Sequence, residues 1–211
     1  MALGAFLLEV VHRDRDSTTK NATIVDFLTM KAIFVTSNEH KRREAAEILG
    51  VELAGAAPEV PEIQALEVSE VAAAKARAAC ETLGSPPHPV LVEDSGLVVE
   101  AWNGLPAAFT KWFMRSVGNE GLLRMLPPDA DRSARAVCAV AVAGPSEGVR
   151  VFLGEAPGVL ATEPRGEGGF GWDPIFVPRG ASLTYAQMGR EKSADSHRTR
   201  AFREVRRWLE G

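Results

Sequence analysis

Two cysteines are all this 211-residue chain contains, Cys80 and Cys138, and neither stands at metal-ligand spacing from another ligand residue. That excludes a disulfide framework and a thiolate metal site; both thiols read as reduced packing residues, the usage of a cytoplasmic protein. No apolar run approaches the roughly 20 residues needed to cross a bilayer. The apolar start, Met1 to Val11, lacks a basic leading region, contains Glu9 and gives way to the charged His12 to Asp16, so it does not read as a signal peptide. Positive charge is not in excess either: 24 Lys and Arg against 28 Asp and Glu leave a formal net charge of -4. That balance argues against the broad basic face needed to bind nucleic acid. Internal repeats and low-complexity segments are absent, and so is a Walker loop, because the required glycines do not precede a Lys-Ser or Lys-Thr pair.

The apolar share of 45 % suffices for one substantial core without cross-links. Residues 1–30 carry no recognisable chemistry and read as an extension, with Met30 as a candidate true start; residues 31–211 form one continuous domain. Lys31 to Thr36 reads as a strand, followed by a polar turn and a helix from His40 to Leu49 that ends at Gly50. Ser69 to Leu83 reads as a helix capped by Ser69, with Lys75 at its middle. Pro89 to Glu93 and Leu97 to Ala101 read as two strands around an Asp94-Ser95-Gly96 turn. Helices are expected over Pro106 to Ser116 and Asn119 to Leu126. Arg135 to Ala143 and Val149 to Leu153 are expected to pair antiparallel through a turn at Gly144 and Pro145, with a short strand near Val159 and extended structure again at Ile175 to Val177. The last helix runs from about Ala194 to Leu209, with Phe202, Val205 and Leu209 on one apolar stripe.

Several groups of residues carry candidate chemistry. Thr36, Ser37 and Asn38 end a strand and enter a helix, where free backbone N–H groups and small polar side chains can hold a phosphate, and Lys41 lies one turn on. Taken alone, the same residues fit an N-cap and a solvated basic turn. Glu93, Asp94 and Ser95 follow an apolar strand, and two carboxylates there can hold Mg²⁺ or take a proton from water. Glu59, Glu62 and Glu67 each offer a further metal-ligating oxygen, and each also fits a solvated loop acid. An acidic protein acting on an anionic substrate needs local cations, from lysines, arginines and a divalent metal. In the glycine-rich stretch around Phe170, Gly171, Trp172 and Asp173, two aromatic rings would be exposed unless they are packed or covered by a ligand. Donors from His197 or Arg198 would match the 6-oxo group of hypoxanthine or xanthine and be left unpaired against the 6-amino group of adenine.

In this order the motifs Thr36-Ser37-Asn38 with Lys41, Glu93-Asp94-Ser95-Gly96-Leu97, Phe170-Gly171-Trp172-Asp173-Pro174, and Glu191-Lys192-Ser193 leading to Ser196-His197-Arg198 resemble the inosine triphosphate pyrophosphatases, also called dITP/XTP pyrophosphatases. Gly104-Leu105-Pro106 with Lys111-Trp112-Phe113 is similar to the eukaryotic and archaeal branch. The resemblance implies an α/β, two-lobed fold around a long central mixed sheet, a cleft between the lobes and a homodimer. It also implies Mg²⁺-dependent hydrolysis of ITP, dITP and XTP to the monophosphate and pyrophosphate. Carried over, Thr36, Ser37, Asn38, Glu39, His40 and Lys41 would cradle the phosphates with Lys75. Glu62 and Asp94 would hold metal, Asp94 would accept the proton with Glu93 in support, and Ser95 would touch substrate. Phe170 to Asp173, Lys192, His197 and Arg198 would enclose the base and sugar. Two departures stand out: Ser37 replaces the family's usual glycine, and the spacing from Glu62 to Lys75 is one residue longer.

Two other functions fit the residues. One is a pyrophosphatase for another modified nucleotide. The other is a non-catalytic nucleotide- or nucleic-acid-binding module that uses Arg198, Arg200, Arg203, Arg206 and Arg207; there Glu204 and Glu210 interrupt the basic run.

Overall fold

The computed structural model describes residues 32–50, 53–144 and 148–210, with residues 209 and 210 described by backbone alone. β1 (Ala32–Val35) leads through three polar residues into α1 (Glu39–Leu49). The Asn38 side chain fixes where that helix starts, because its Oδ1 accepts from the backbone N–H groups of His40 and Lys41. Gly50, at φ 68°, ends the helix in the left-handed conformation that glycine adopts without strain. β2 (Leu53–Ala56) then pairs parallel to β1.

α2 (Val68–Thr82) starts one residue before the expected cap. Ser69 lies inside the helix and Glu67 precedes it without a capping side chain. Val68 is buried among the core residues of this helix, Val71, Ala72, Ala76, Ala79 and Cys80, so burial rather than a cap hydrogen bond sets the first turn.

β3 (Val90–Val99) is one uninterrupted strand of 10 residues where two strands and a turn were expected. The reason is tertiary: β5 (Ser133–Gly144) pairs antiparallel along its whole length, placing Ala139, Cys138 and Val137 opposite Asp94, Ser95 and Gly96. Local turn preference loses to a complete ladder. Gly96 instead marks a close approach, since a Cβ there would overlap the backbone carbonyl of Ala107. Ala107 belongs to the two-residue β4 (Pro106–Ala107), which pairs with β3. This strand occupies the start of the expected helix, so α3 (Thr110–Ser116) begins later and is followed by α4 (Gly118–Arg124).

β6 (Gly148–Leu160) pairs with β5 from Gly144↔Gly148 to Ser133↔Val159, so the two segments expected near Leu153 and Val159 are one strand. The expected turn residue Pro145 lies outside the described residues. β7 (Phe176–Pro178), α5 (Tyr185–Met188) and α6 (His197–Glu210) complete the chain.

The sheet is mixed, in order β2-β1-β3-β5-β6-β7 with β4 on β3. Its pleat sends alternate residues to opposite layers. Val90 and Val92 pack with Ala72, Ala76 and Ala79 of α2, whereas Leu91 packs with Phe34, Phe202 and Val205 under α1 and α6. A third cluster, with Leu97, Leu122, Leu160, Trp172, Phe176 and Tyr185, forms the core of the second lobe. Both cysteines are buried and free. Among the described residues no helix is long and apolar enough to cross a membrane.

Candidate active site

The centre of β3 opens on a cleft of about 880 Å³ between the lobes. Thr36, Ser37, Asn38 and Lys41 line one wall, Lys75 and the segment 57–62 another, and Lys111, Met114 and Arg115 of α3 face them. Glu93, Asp94 and Ser95 form the floor, and Phe170, Gly171 and Trp172 close one end.

Glu93 and Asp94 diverge as strand neighbours do. Glu93 is buried on the α6 side, where Arg198 donates Nε and Nη2 to its two oxygens at 2.8 and 3.1 Å and Lys41 Nζ lies 3.3 Å from Oε1. Asp94 shares its face with Val92 and looks toward Lys75. Its Oδ2 is buried and has no hydrogen-bond partner. Burial, opposed by Lys41 and assisted by the charge of Glu93, pushes its carboxyl up to about 6. At neutral pH this is an ionised carboxylate with an unused oxygen, basic enough to take a proton.

A buried chain of alternating charges backs the floor. Asp173 accepts from Lys192 Nζ at 2.8 Å, Lys192 lies 3.4 Å from Glu44, Glu44 also binds Arg198, and Arg198 holds Glu93. Burial pushes the Arg198 guanidinium down to about 9, still above neutral pH, and the two carboxylates keep it charged. Each ion has an opposite neighbour, which is the condition for keeping charges out of water.

Glu62 sits at the rim. Burial raises its carboxyl, but Lys75 at 3.1 Å and Lys111 at 3.7 Å outweigh that and hold it below the usual range. Among the described residues no three acids, histidines or cysteines come close enough to form a protein-only metal cage. The donor set suits a hard cation that takes one or two carboxylates and completes its shell with phosphate and water oxygens. The free Oδ2 of Asp94 is the atom that fits such an ion.

Of the aromatic pair, Phe170 is half-buried and faces the cleft, while Trp172 is mostly buried against Phe176 and Tyr185. Packing therefore accounts for much of Trp172, which the sequence had placed over a ligand. Asp173 fixes this turn by accepting from the Phe170 N–H at 2.9 Å, and a Cβ at Gly169 (φ 72°) would overlap the Asp173 carboxylate. From the other side, Asn119 donates Nδ2 to the Gly171 carbonyl at 3.1 Å.

Asp173, Lys192, His197 and Arg198 lie behind this loop, buried and off the cleft surface. The Arg198 donors are committed to Glu93 and Glu44. His197 packs between Trp172 and Tyr185, at 5.1 and 5.9 Å between ring centroids. Burial, reinforced by Lys192, holds it neutral, well below its ordinary value. Neither ring nitrogen has a partner, and neither does the buried Tyr185 hydroxyl. Glu39 is exposed and paired with Arg42 at 2.7 Å, and His40 is exposed and stacked on Phe170.

Sequence reasoning missed Glu44, Arg115, Asn119 and Tyr185. Glu44 had a signal, since it follows Lys41 by three residues on one helix face. Arg115 follows Lys111 by four on α3 in the same way.

A family model described as the Ham1 family matches residues 32–208. A dITP/XTP pyrophosphatase of Methanopyrus kandleri is 42 % identical over 183 residues, covering 85 % of this chain and 96 % of the relative. An inosine triphosphate pyrophosphatase of Aspergillus fumigatus is 45 % identical over 186 residues, covering 86 % and 96 %. Among solved structures, a HAM1 protein from Coxiella burnetii superposes with a TM-score of 0.75 at 29 % identity, covering 85 % of this chain and 98 % of that one. With this match along nearly all of the described residues, the chain belongs to the Ham1 family.

Proposed function

We propose that this protein hydrolyses deaminated purine nucleoside triphosphates, ITP, dITP and XTP, to the monophosphate and pyrophosphate, and so cleanses the nucleotide pool. The observation that carries the reading is the Asp94 carboxylate, which lines the floor of a cleft with cations at one end and an aromatic ring at the other and has a buried oxygen without a partner.

Lys41 and Lys75 meet the triphosphate, and Thr36, Ser37 and Asn38 border it. Water attacks the α-phosphorus, the bond to the bridging oxygen breaks, and pyrophosphate leaves with its charge offset by these lysines. Asp94 takes the proton of the attacking water. Asp94 and Glu62 are the residues that would hold Mg²⁺, which would supply charge neutralisation for the phosphates. Glu93, saturated by Arg198 and Lys41, supports Asp94 through its charge rather than by proton transfer.

The base end supports 6-oxo purines. Lys192 and Arg198 lie 4.9 and 5.2 Å from the Phe170 ring centroid, and their pairing with Asp173, Glu44 and Glu93 fixes them behind the ring that would cover the base. Behind the loop, His197 keeps an unused ring N–H. A 6-amino group facing such a donor leaves it unpaired, at about 1–3 kcal/mol. Reaching His197 requires the glycine-rich loop to lift.

A homodimer and a cytoplasmic location belong to the same reading. The exposed Leu66 and Leu153 border a shallow depression suited to self-association. On α6, Arg200 and Arg203 are paired with Asp195 and Arg207 with Glu204, which favours a small substrate over nucleic acid. The test compares pyrophosphate release from ITP, XTP, dITP, ATP and GTP with and without Mg²⁺. Equal turnover of ATP and ITP sinks the base selection, and release of orthophosphate alone sinks the cleavage position.

A further inference from the structure

Phe170 is the cleft's aromatic surface, yet its ring is already covered. The His40 imidazole stacks on it at 5.5 Å between centroids and 23° between planes, and Lys192 and Arg198 approach the same ring. These neighbours differ in how freely they can leave. Lys192 and Arg198 are buried and tied to Asp173, Glu44 and Glu93, so moving either strips a buried carboxylate of its partner. His40 is exposed. Its backbone N–H is fixed by the Asn38 cap, but among the described residues its side chain is held by Phe170 and by Arg43, whose Nη2 lies 3.2 Å from Nδ1. Because arginine can only donate, Nδ1 accepts in that contact.

We infer that His40 is a movable cover for the Phe170 ring, which a purine base displaces when it enters, so that His40 weakens base binding and sets part of its selectivity. This rests on the function proposed above and adds a residue to it. An imidazole and a purine are both flat heteroaromatic rings and compete for the same kind of surface. The cover also joins α1, which carries the phosphate-facing Lys41, to the base loop, so opening for the base loosens a contact beside the phosphate wall.

The test is calorimetric titration of the full chain with IMP and, separately, with tripolyphosphate, for wild type, His40→Ala and His40→Phe. The expected result is IMP binding about 2- to 10-fold tighter in H40A, the range a lost aromatic pair contributes. Wild-type affinity or weaker is expected in H40F, and tripolyphosphate binding is expected to be unchanged in both. Weaker IMP binding in H40A overturns the proposal, because it makes His40 part of the platform that holds the base. Equal changes for IMP and tripolyphosphate also overturn it, placing the effect on the α1 cap. If wild type releases no pyrophosphate from ITP and binds no IMP, the activity assignment itself falls. A wrong-signed H40A result with wild-type hydrolysis intact removes only the cover.

Discussion

Arg198 grips Glu93 with two hydrogen bonds on the hidden side of β3, while Asp94, the next residue along, lines the cleft and keeps a buried carboxylate oxygen without a partner. One strand pleat therefore separates a carboxylate that is structurally saturated from one that is chemically available. Replacing Arg198 with Ala leaves the buried Glu93 and the partly buried Glu44 without the cation they share. A loss of about 3–5 kcal/mol is expected, read as a lower midpoint in urea unfolding. Glu93→Gln in the same background recovers part of it, because the stranded charge is removed.

Asp94→Asn gives the opposite pattern. Asn removes the charge that burial penalises, so folding at neutral pH is retained or strengthened, by up to about 3 kcal/mol, while kcat falls about 100- to 10,000-fold as expected for loss of a general base. Wild-type kcat/KM rises with pH through about 6, and that limb vanishes in the variant.

The same group links stability to pH with a definite sign. In the fold Asp94 keeps its proton up to about 6, whereas its unfolded counterpart releases it near 3.8. Between those values the folded state binds more protons, so stability falls as pH rises across the window, by about 3 kcal/mol in all. The difference between wild-type and D94N unfolding free energies, measured at several pH values from 3.5 to 7 (about the span that brackets both values), tracks this slope. A difference that does not change with pH contradicts the assignment.

Gly96→Ala tests the geometry that sets α3 against the cleft. The added methyl meets the Ala107 carbonyl, a backbone atom that cannot rotate away. The expected cost is about 3 kcal/mol. Substrate affinity falls with it, since displacing β4 moves Lys111 and Arg115. Thermal unfolding and KM for ITP are the measurements.

Much of the cleft wall from Thr36 to Lys41 is legible in the chain because its determinants are local. Asn38 caps the helix that follows it, Gly50 ends that helix, and an apolar strand carries Glu93 and Asp94. What escaped is long-range. Asp94-Ser95-Gly96 has turn composition, and only the pairing with β5 makes it strand. Arg198 reaches Glu93 across 105 residues of sequence, a contact no periodicity records, so it read as a base-facing donor. Val68 joins α2 because a core is there to receive it, and Ser69, a good cap by composition, had no means of competing. Whether Trp172 was packed or covered by a ligand stayed open in the sequence, because its neighbours Phe176 and Tyr185 lie beyond the glycine-rich stretch.

His197 yields the sharpest separation of stability from function. It is buried between two aromatic rings with both nitrogens unpartnered, which costs folding energy that an apolar ring of similar shape does not incur. His197→Phe is therefore expected to stabilise the protein by about 1 kcal/mol, a rise of roughly 2–4 °C in Tm for a chain of this size. If the imidazole N–H is what a 6-oxo purine binds, the same substitution lowers kcat/KM for ITP about 10-fold or more while leaving ATP turnover nearly unchanged, and the ratio between them collapses. A variant that melts higher yet still prefers ITP to the wild-type extent would remove His197 from base recognition.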